Sequence, residues 1–171
     1  MAADRFASIA VANTFLPTGD TSPGEAFLKW REYSQSTPDF NPGDLIPRAC
    51  AREVSESVSK AYDAPFPDER YKAGARAFPM LVPARPDDPA SAPNRAAWKG
   101  LLAYQRPFLT CFGDSDPITA GADRIFQAQV PGANGQPHFT VEKAGHFLQE
   151  DAGETIAERI AAWLAAQPPR N

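Results

Sequence analysis

Apolar positions along this chain fall into two kinds of pattern. Three runs are short and nearly continuous: Ser8 to Asn13 (SIAVAN), Pro107 to Phe112 (PFLTCF) and His138 to Val141 (HFTV). Runs of this kind predict strands buried on both faces. Pro107 sits at the entrance of the second, where a missing N–H is tolerated. Other stretches carry the helical period. Gly121 to Val130 includes Ile125 and Phe126, and Arg95 to Tyr104 places Trp98, Leu101 and Leu102 on one face. Gly153 to Gln167 sets Ile156, Ile160, Trp163 and Leu164 on one stripe. Helix, strand, helix, strand, helix in that order predicts parallel crossovers in an α/β sheet.

The segment from Pro17 to Pro93 breaks this rhythm and predicts short helices. In SPGEAFLKWREYSQ, Ser22 reads as an N-cap, Pro23 as the first helical residue and Glu25 as the partner in a capping box. Phe27 and Trp30 then share a face. A second helix is expected from Arg52 to Tyr62, and a third after Pro67 with Tyr71, Ala75 and Phe78. Such an insertion between parallel strands reads as a lid over the C-terminal edge of the sheet, where ligands of open α/β sheets bind.

Composition narrows the function classes. The 171 residues suffice for one domain with a core. A net charge of −4 argues against a partner built on a phosphate backbone, so no nucleic acid is expected. Eighteen prolines, about twice the usual share, fit kinked loops in the insertion. Cys50 and Cys111 have no metal-ligand spacing and form no disulfide framework, which fits a reducing, cytoplasmic setting. The opening MAADRFASIAVANTF has too short an apolar stretch for a membrane span and is a poor signal peptide.

Two turns carry candidate chemistry. FGDSDPIT closes the second strand with Asp114 and Asp116, and VEKAGHFLQED closes the third with His146. A strand-end Asp is usually a turn or cap residue. In a parallel crossover, however, both turns leave the same sheet edge. A carboxylate there can hold the tautomer of an imidazole thirty residues on. Gly145 leaves room for a tight turn beside His146. His138 begins a strand and is expected at the other end of the sheet or facing solvent.

At these residues the chain resembles the α/β-hydrolase fold. FGDSDPIT and KAGHFLQED are similar to its acid and histidine segments. EAFLKWREYSQ, AYDAPFPDERYKAGARAFPMLVP and RPDDPASAPNRAAW resemble the cap of haloalkane dehalogenases. DRFASIAVANTFLPTGD resembles the sixth strand and the entrance to that cap. The resemblance implies a partial α/β-hydrolase fold: the last three parallel strands, flanking helices and an inserted all-helical cap. Its parts are a core strand over 1–16, the cap over 17–93 and the C-terminal part of the core over 94–171.

The resemblance also implies the chemistry. A nucleophilic Asp displaces halide to form an alkyl ester, His146 activates the water that hydrolyses it, and Asp116 orients His146. Trp30 would bind the departing halide through its indole N–H, with Phe27, Phe78 and Pro79 lining an apolar pocket. Without the resemblance, Trp30 reads as helix packing. The implied partners are a small halogenated substrate, water and halide, with no cofactor and no metal. An epoxide hydrolase remains the alternative enzyme, through Tyr33, Tyr62 or Tyr71. A non-catalytic remnant or apolar binding module is the alternative of another class.

The nucleophile has no counterpart in the sequence. No two glycines lie four apart, so no Gly-x-Ser/Asp/Cys-x-Gly turn exists. Asp4 precedes a strand instead of following one. The expectation is therefore the C-terminal half of an enzyme, inactive alone, that self-associates through an exposed sheet edge.

Overall fold

The computed structural model describes residues 5–167; Asp4 lies outside them. Three parallel strands form one sheet in the order β1 (Ile9–Ala12), β2 (Phe108–Gly113), β3 (Phe139–Val141). Ile9 registers with Phe108, and Cys111 with Phe139. Five helices lie between β1 and β2: α1 (Glu25–Ser36), α2 (Ile46–Ala49), α3 (Glu56–Asp63), α4 (Ala73–Leu81) and α5 (Ser91–Leu102). Then α6 (Ala122–Gln129) joins β2 to β3, and α7 (Leu148–Ala165) follows β3.

Residues of β2 alternate between two apolar layers, as a strand's period of two demands. Phe108 and Phe112 pack with Leu101, Tyr104 and Phe126, so α5 and α6 cover one face. Cys111 packs with Val141, Leu148 and Ile156, so α7 covers the other. Trp98 stacks on Phe126 at 5.5 Å between ring centroids. Only the central strand is a continuous buried run. In β1 the residues alternate between half-buried and exposed, so the expectation of burial on both faces fails there. It is an edge strand of the described sheet, and Ala10 and Ala12 are exposed.

Helix boundaries moved where backbone amides found other partners. The expected capping box at Ser22 does not form. Gly24 takes φ 91°, a conformation natural to glycine, and α1 starts at Glu25. Ser22 Oγ accepts from Gly24 N–H at 3.3 Å instead. The second expected helix starts at Glu56, not Arg52, with Ser55 as the capping side chain. The amides of Ala51 and Arg52 are already donated to the Asp151 carboxylate. After Pro67 the chain first makes a 3-10 turn over Glu69–Lys72 and then α4, which accommodates Pro79 internally. α7 begins five residues earlier than its stripe predicts, at the cost of a kink at Ala152 (φ −152°, ψ 34°). Leu102 and Leu164, expected on apolar faces, are about half exposed.

The Arg76 guanidinium secures the inserted helices to one another. It donates to the carbonyls of Ser34 and Thr37 at 2.7 and 2.9 Å, at the C-terminal end of α1, where carbonyls lack helical partners.

Candidate active site

Three chain segments meet at the C-terminal edge of the sheet. The turns after β2 and β3 are zipped together: Asp114 N–H donates to Val141 O at 3.1 Å, and Ser115 N–H to Ala144 O at 3.0 Å. The backbones approach so closely at Gly113 that a side chain there would strike Ala144. This close approach brings Asp116 and His146 together, with His146 Nδ1 3.0 Å from Asp116 Oδ2. A carboxylate only accepts, so Nδ1 carries the proton of this bond, and the neutral ring in that tautomer has its lone pair on Nε2.

Asp116 is 3% exposed and fully engaged. Its Oδ1 accepts from Ile118 N–H at 2.8 Å, and its Oδ2 accepts from both the amide and the hydroxyl of Thr119. Burial pushes the Asp116 carboxyl up. The bonds from His146, Thr119 and Ile118 outweigh this, and the group sits below its ordinary value of 3.8. Asp116 is therefore a charged acceptor beside the imidazole.

Asn13, at the end of β1, is the third component, and sequence reasoning missed it. Its backbone is left-handed at φ 36° and its side chain is buried. Nδ2 donates to Gly145 O at 2.6 Å and His146 O at 3.1 Å, while Oδ1 accepts from Gly113 N–H at 2.8 Å. One amide thus ties the ends of all three strands. A non-glycine residue held at positive φ is the kind of signal that only coordinates reveal.

His146 lines an apolar cavity of about 230 Å³ together with Phe27, Trp30, Leu45, Ile118 and Phe147. Phe27 and Trp30 come from α1, so the inserted helices roof the strand ends. Phe78 and Pro79 are elsewhere: they line an adjoining, wider hollow that shares Phe27, Trp30 and Phe147. Phe78 is 70% exposed there, so it borders the site from the outside. The other two tryptophans have engaged indoles, Trp98 with Leu16 O at 2.7 Å and Trp163 with Gln136 Oε1 at 2.8 Å. The Trp30 indole N–H has no partner among the described residues.

None of the three tyrosines weighed above lines the His146 cavity. Tyr62 donates its hydroxyl to Glu150 at 2.5 Å, and Tyr71 is exposed. His138 is neither free in solvent nor near this site. Its Nδ1 accepts from Thr110 N–H at 3.0 Å and its Nε2 reaches Ala133 O at 2.9 Å, so it extends the strand pairing. Among the described residues, no group of three or more His, Cys, Asp or Glu is arranged to hold a metal ion. No described helix is long and apolar enough to cross a membrane.

No family model matches the chain. Individual relatives do. It is 53% identical over 165 residues to a haloalkane dehalogenase of Psychrobacter cryohalolentis, covering 96% of this chain and 54% of that protein. It is 49% identical over 160 residues to one from Mycobacterium marinum, again covering 54% of the relative. The chain thus spans about half the length of the curated relatives it matches. Among solved structures, a tetrameric haloalkane dehalogenase from Paraglaciecola agarilytica superposes with a TM-score of 0.82 at 27% identity, over 98% of this chain and 54% of that one. In sequence over nearly its whole length, and in fold, the chain is similar to the haloalkane dehalogenases of the α/β-hydrolase fold, about half of whose length it spans.

Proposed function

We propose that the chain carries the water-activating and halide-binding part of a hydrolytic dehalogenase site. One observation supports this reading: the imidazole backed by a buried carboxylate lines a single apolar cavity together with Trp30, whose indole N–H has no partner among the described residues. In the reaction a carboxylate nucleophile, on the part of the fold these residues do not include, attacks the halogen-bearing carbon. The C–O bond forms as the carbon–halogen bond breaks, and the halide departs. Charge develops on the halide only as the bond breaks, so a donor aimed there lowers the barrier. Trp30 supplies that donor on an otherwise apolar plate.

His146 Nε2 then takes a proton from water as the oxygen attacks the ester carbonyl. Alcohol leaves, the nucleophile is regenerated, and Asp116 stabilises the transient imidazolium. The residues over 17–93 act as the cap, on the core formed by 1–16 and 94–171. Phe27 walls the cavity, while Phe78 and Pro79 shape its approach. The substrate is a small halogenated alkane, and a reducing, cytoplasmic setting agrees with two free cysteines. None of Tyr33, Tyr62 and Tyr71 lines the cavity of His146, although Tyr62 borders the adjoining hollow, and epoxide opening needs a phenol donor at the reacting oxygen.

The test joins this chain to the remaining part of the Psychrobacter relative and measures halide released from 1-haloalkanes. A folded chimaera that releases halide supports the reading; a folded one that releases none refutes it. Trp30→Phe in the chimaera keeps the wall and deletes the donor. Its expected effect is a loss of about ten- to a hundred-fold in halide release, the worth of one hydrogen bond to a charged group. Unchanged release would remove Trp30 from the halide site.

The edge of β1 is also a pairing surface, and its half-exposed residues support self-association of the chain. Light scattering should therefore show dimers or larger species. A clean monomer with a cooperative melt would contradict this.

A further inference from the structure

The second buried carboxylate of this region has no role in the chemistry above. Asp151 is 3% exposed and forms no ion pair among the described residues. Its two oxygens instead collect three backbone N–H groups. Oδ2 accepts from Gly145 at 2.7 Å and from Ala51 at 2.9 Å, and Oδ1 accepts from Arg52 at 2.9 Å. These donors come from two separate segments. Gly145 directly precedes His146, whereas Ala51 and Arg52 belong to the inserted helices, between α2 and α3. A carboxylate suits the site because it is acceptor-only and the surrounding groups are all donors. Its charge is met by those amides and by its place in the first turn of α7.

The two segments also meet backbone to backbone. Phe147 N–H donates to Ala49 O at 3.3 Å, and a side chain at position 145 would run into that same carbonyl. Gly145 is therefore held at both peptide groups, its N–H by Asp151 and its C=O by Asn13. We propose that Asp151 is a positioning residue: it locks the loop that presents His146 to Asp116 and couples that loop to the inserted helices. The proposal rests on the reading of His146 as the base, but its test reads imidazole geometry and needs no turnover.

The test uses nitrogen-15 labelled protein and Asp151→Asn, which keeps the volume and puts an NH2 among the donors. In the parent chain His146 Nδ1–H should give a slowly exchanging downfield signal from its bond to Asp116. In Asp151→Asn that signal broadens away. Exchange of the Gly145, Ala51 and Arg52 amides speeds by about tenfold, as loss of a buried bond requires. The His138 Nε2–H, bonded to Ala133 at the far end of β3, stays unchanged as the internal control. A His146 signal that keeps its position and intensity overturns the proposal, whatever happens to the melting temperature.

Should the variant fail to fold, native-state exchange of the parent chain in low urea decides. Gly145, Ala51, Arg52 and His146 Nδ1–H should open as one unit. Independent opening of the two segments would refute the coupling. Loss of halide release by Asp151→Asn in the chimaera with an intact NMR result, or the reverse, separates this proposal from the reading of function.

Discussion

Replacing His146 by Gln in the chimaera should release one equivalent of halide per site and then stop. The first displacement needs the nucleophile, the cavity and the halide donor, none of which is His146. The second step needs a proton acceptor at the position of Nε2, and a glutamine amide cannot serve. Turnover should fall by about a hundred- to ten-thousand-fold, the usual worth of a positioned general base. The alkyl ester should build up on the protein and appear in intact mass as the substrate's alkyl group. Continued turnover with no ester would assign the base to another residue. Among the described residues the cavity beside the imidazole offers no second candidate, since its other lining side chains are apolar apart from Trp30 and Arg48.

Asp116→Asn should be nearly as damaging, for a different reason. The new side chain is the same size, but its NH2 donates to Nδ1. The ring then carries its proton on Nε2 and has no lone pair for water, so hydrolysis slows by about a hundred- to ten-thousand-fold. The same substitution also changes acid stability. The folded value of Asp116 lies below its ordinary 3.8, so its charge stabilises the fold above the unfolded value. That stability is lost as pH falls through the folded value, below about 3.9. Melting temperatures from pH 5 down to 2 should therefore fall more steeply for the parent chain than for Asp116→Asn. Parallel curves would mean that Asp116 is not held as a charged acceptor.

The core strand and the site differ in how far they could be read in advance. PFLTCF announced β2 because a strand covered by helices on both faces is apolar along nearly its whole length, and Leu109 and Cys111 are fully buried. SIAVAN carries the same kind of run, yet its exposed residues show that an apolar run does not reveal which faces are covered. Chain order allowed a contact between residues 116 and 146, and the resemblance implied it. Successive parallel crossovers return to one edge, so two turns thirty residues apart could meet, and the pairing of β2 with β3 makes them neighbours. Phe78 lines the hollow adjoining the His146 cavity and not the cavity itself, because helical spacing places a residue on a face but does not say what that face looks onto.

Asn13 and Asp151 had no signature at all. Each looks like an ordinary polar residue at the end of a strand or in the first turn of a helix, and both are buried acceptors or donors for backbone groups far away in sequence. The Ser22 capping box fails for a related reason, since the path of the chain into the inserted helices turns at Gly24 before the box can close.

The sequence by itself determined the strand and helix order, the parallel sheet, the insertion before β2 and the edge from which Asp116 and His146 emerge. All of these follow from periodicity and local geometry. Tertiary structure alone decided where helices begin, which tryptophan's indole N–H is left without a partner among the described residues, and how the histidine loop is held. Those outcomes depend on which backbone amides and carbonyls meet across separations of about a hundred residues, as Asp151 meets Ala51 and Asn13 meets Gly113. No local pattern encodes such a meeting, because an unpaired backbone group takes whichever partner the packed chain brings to it.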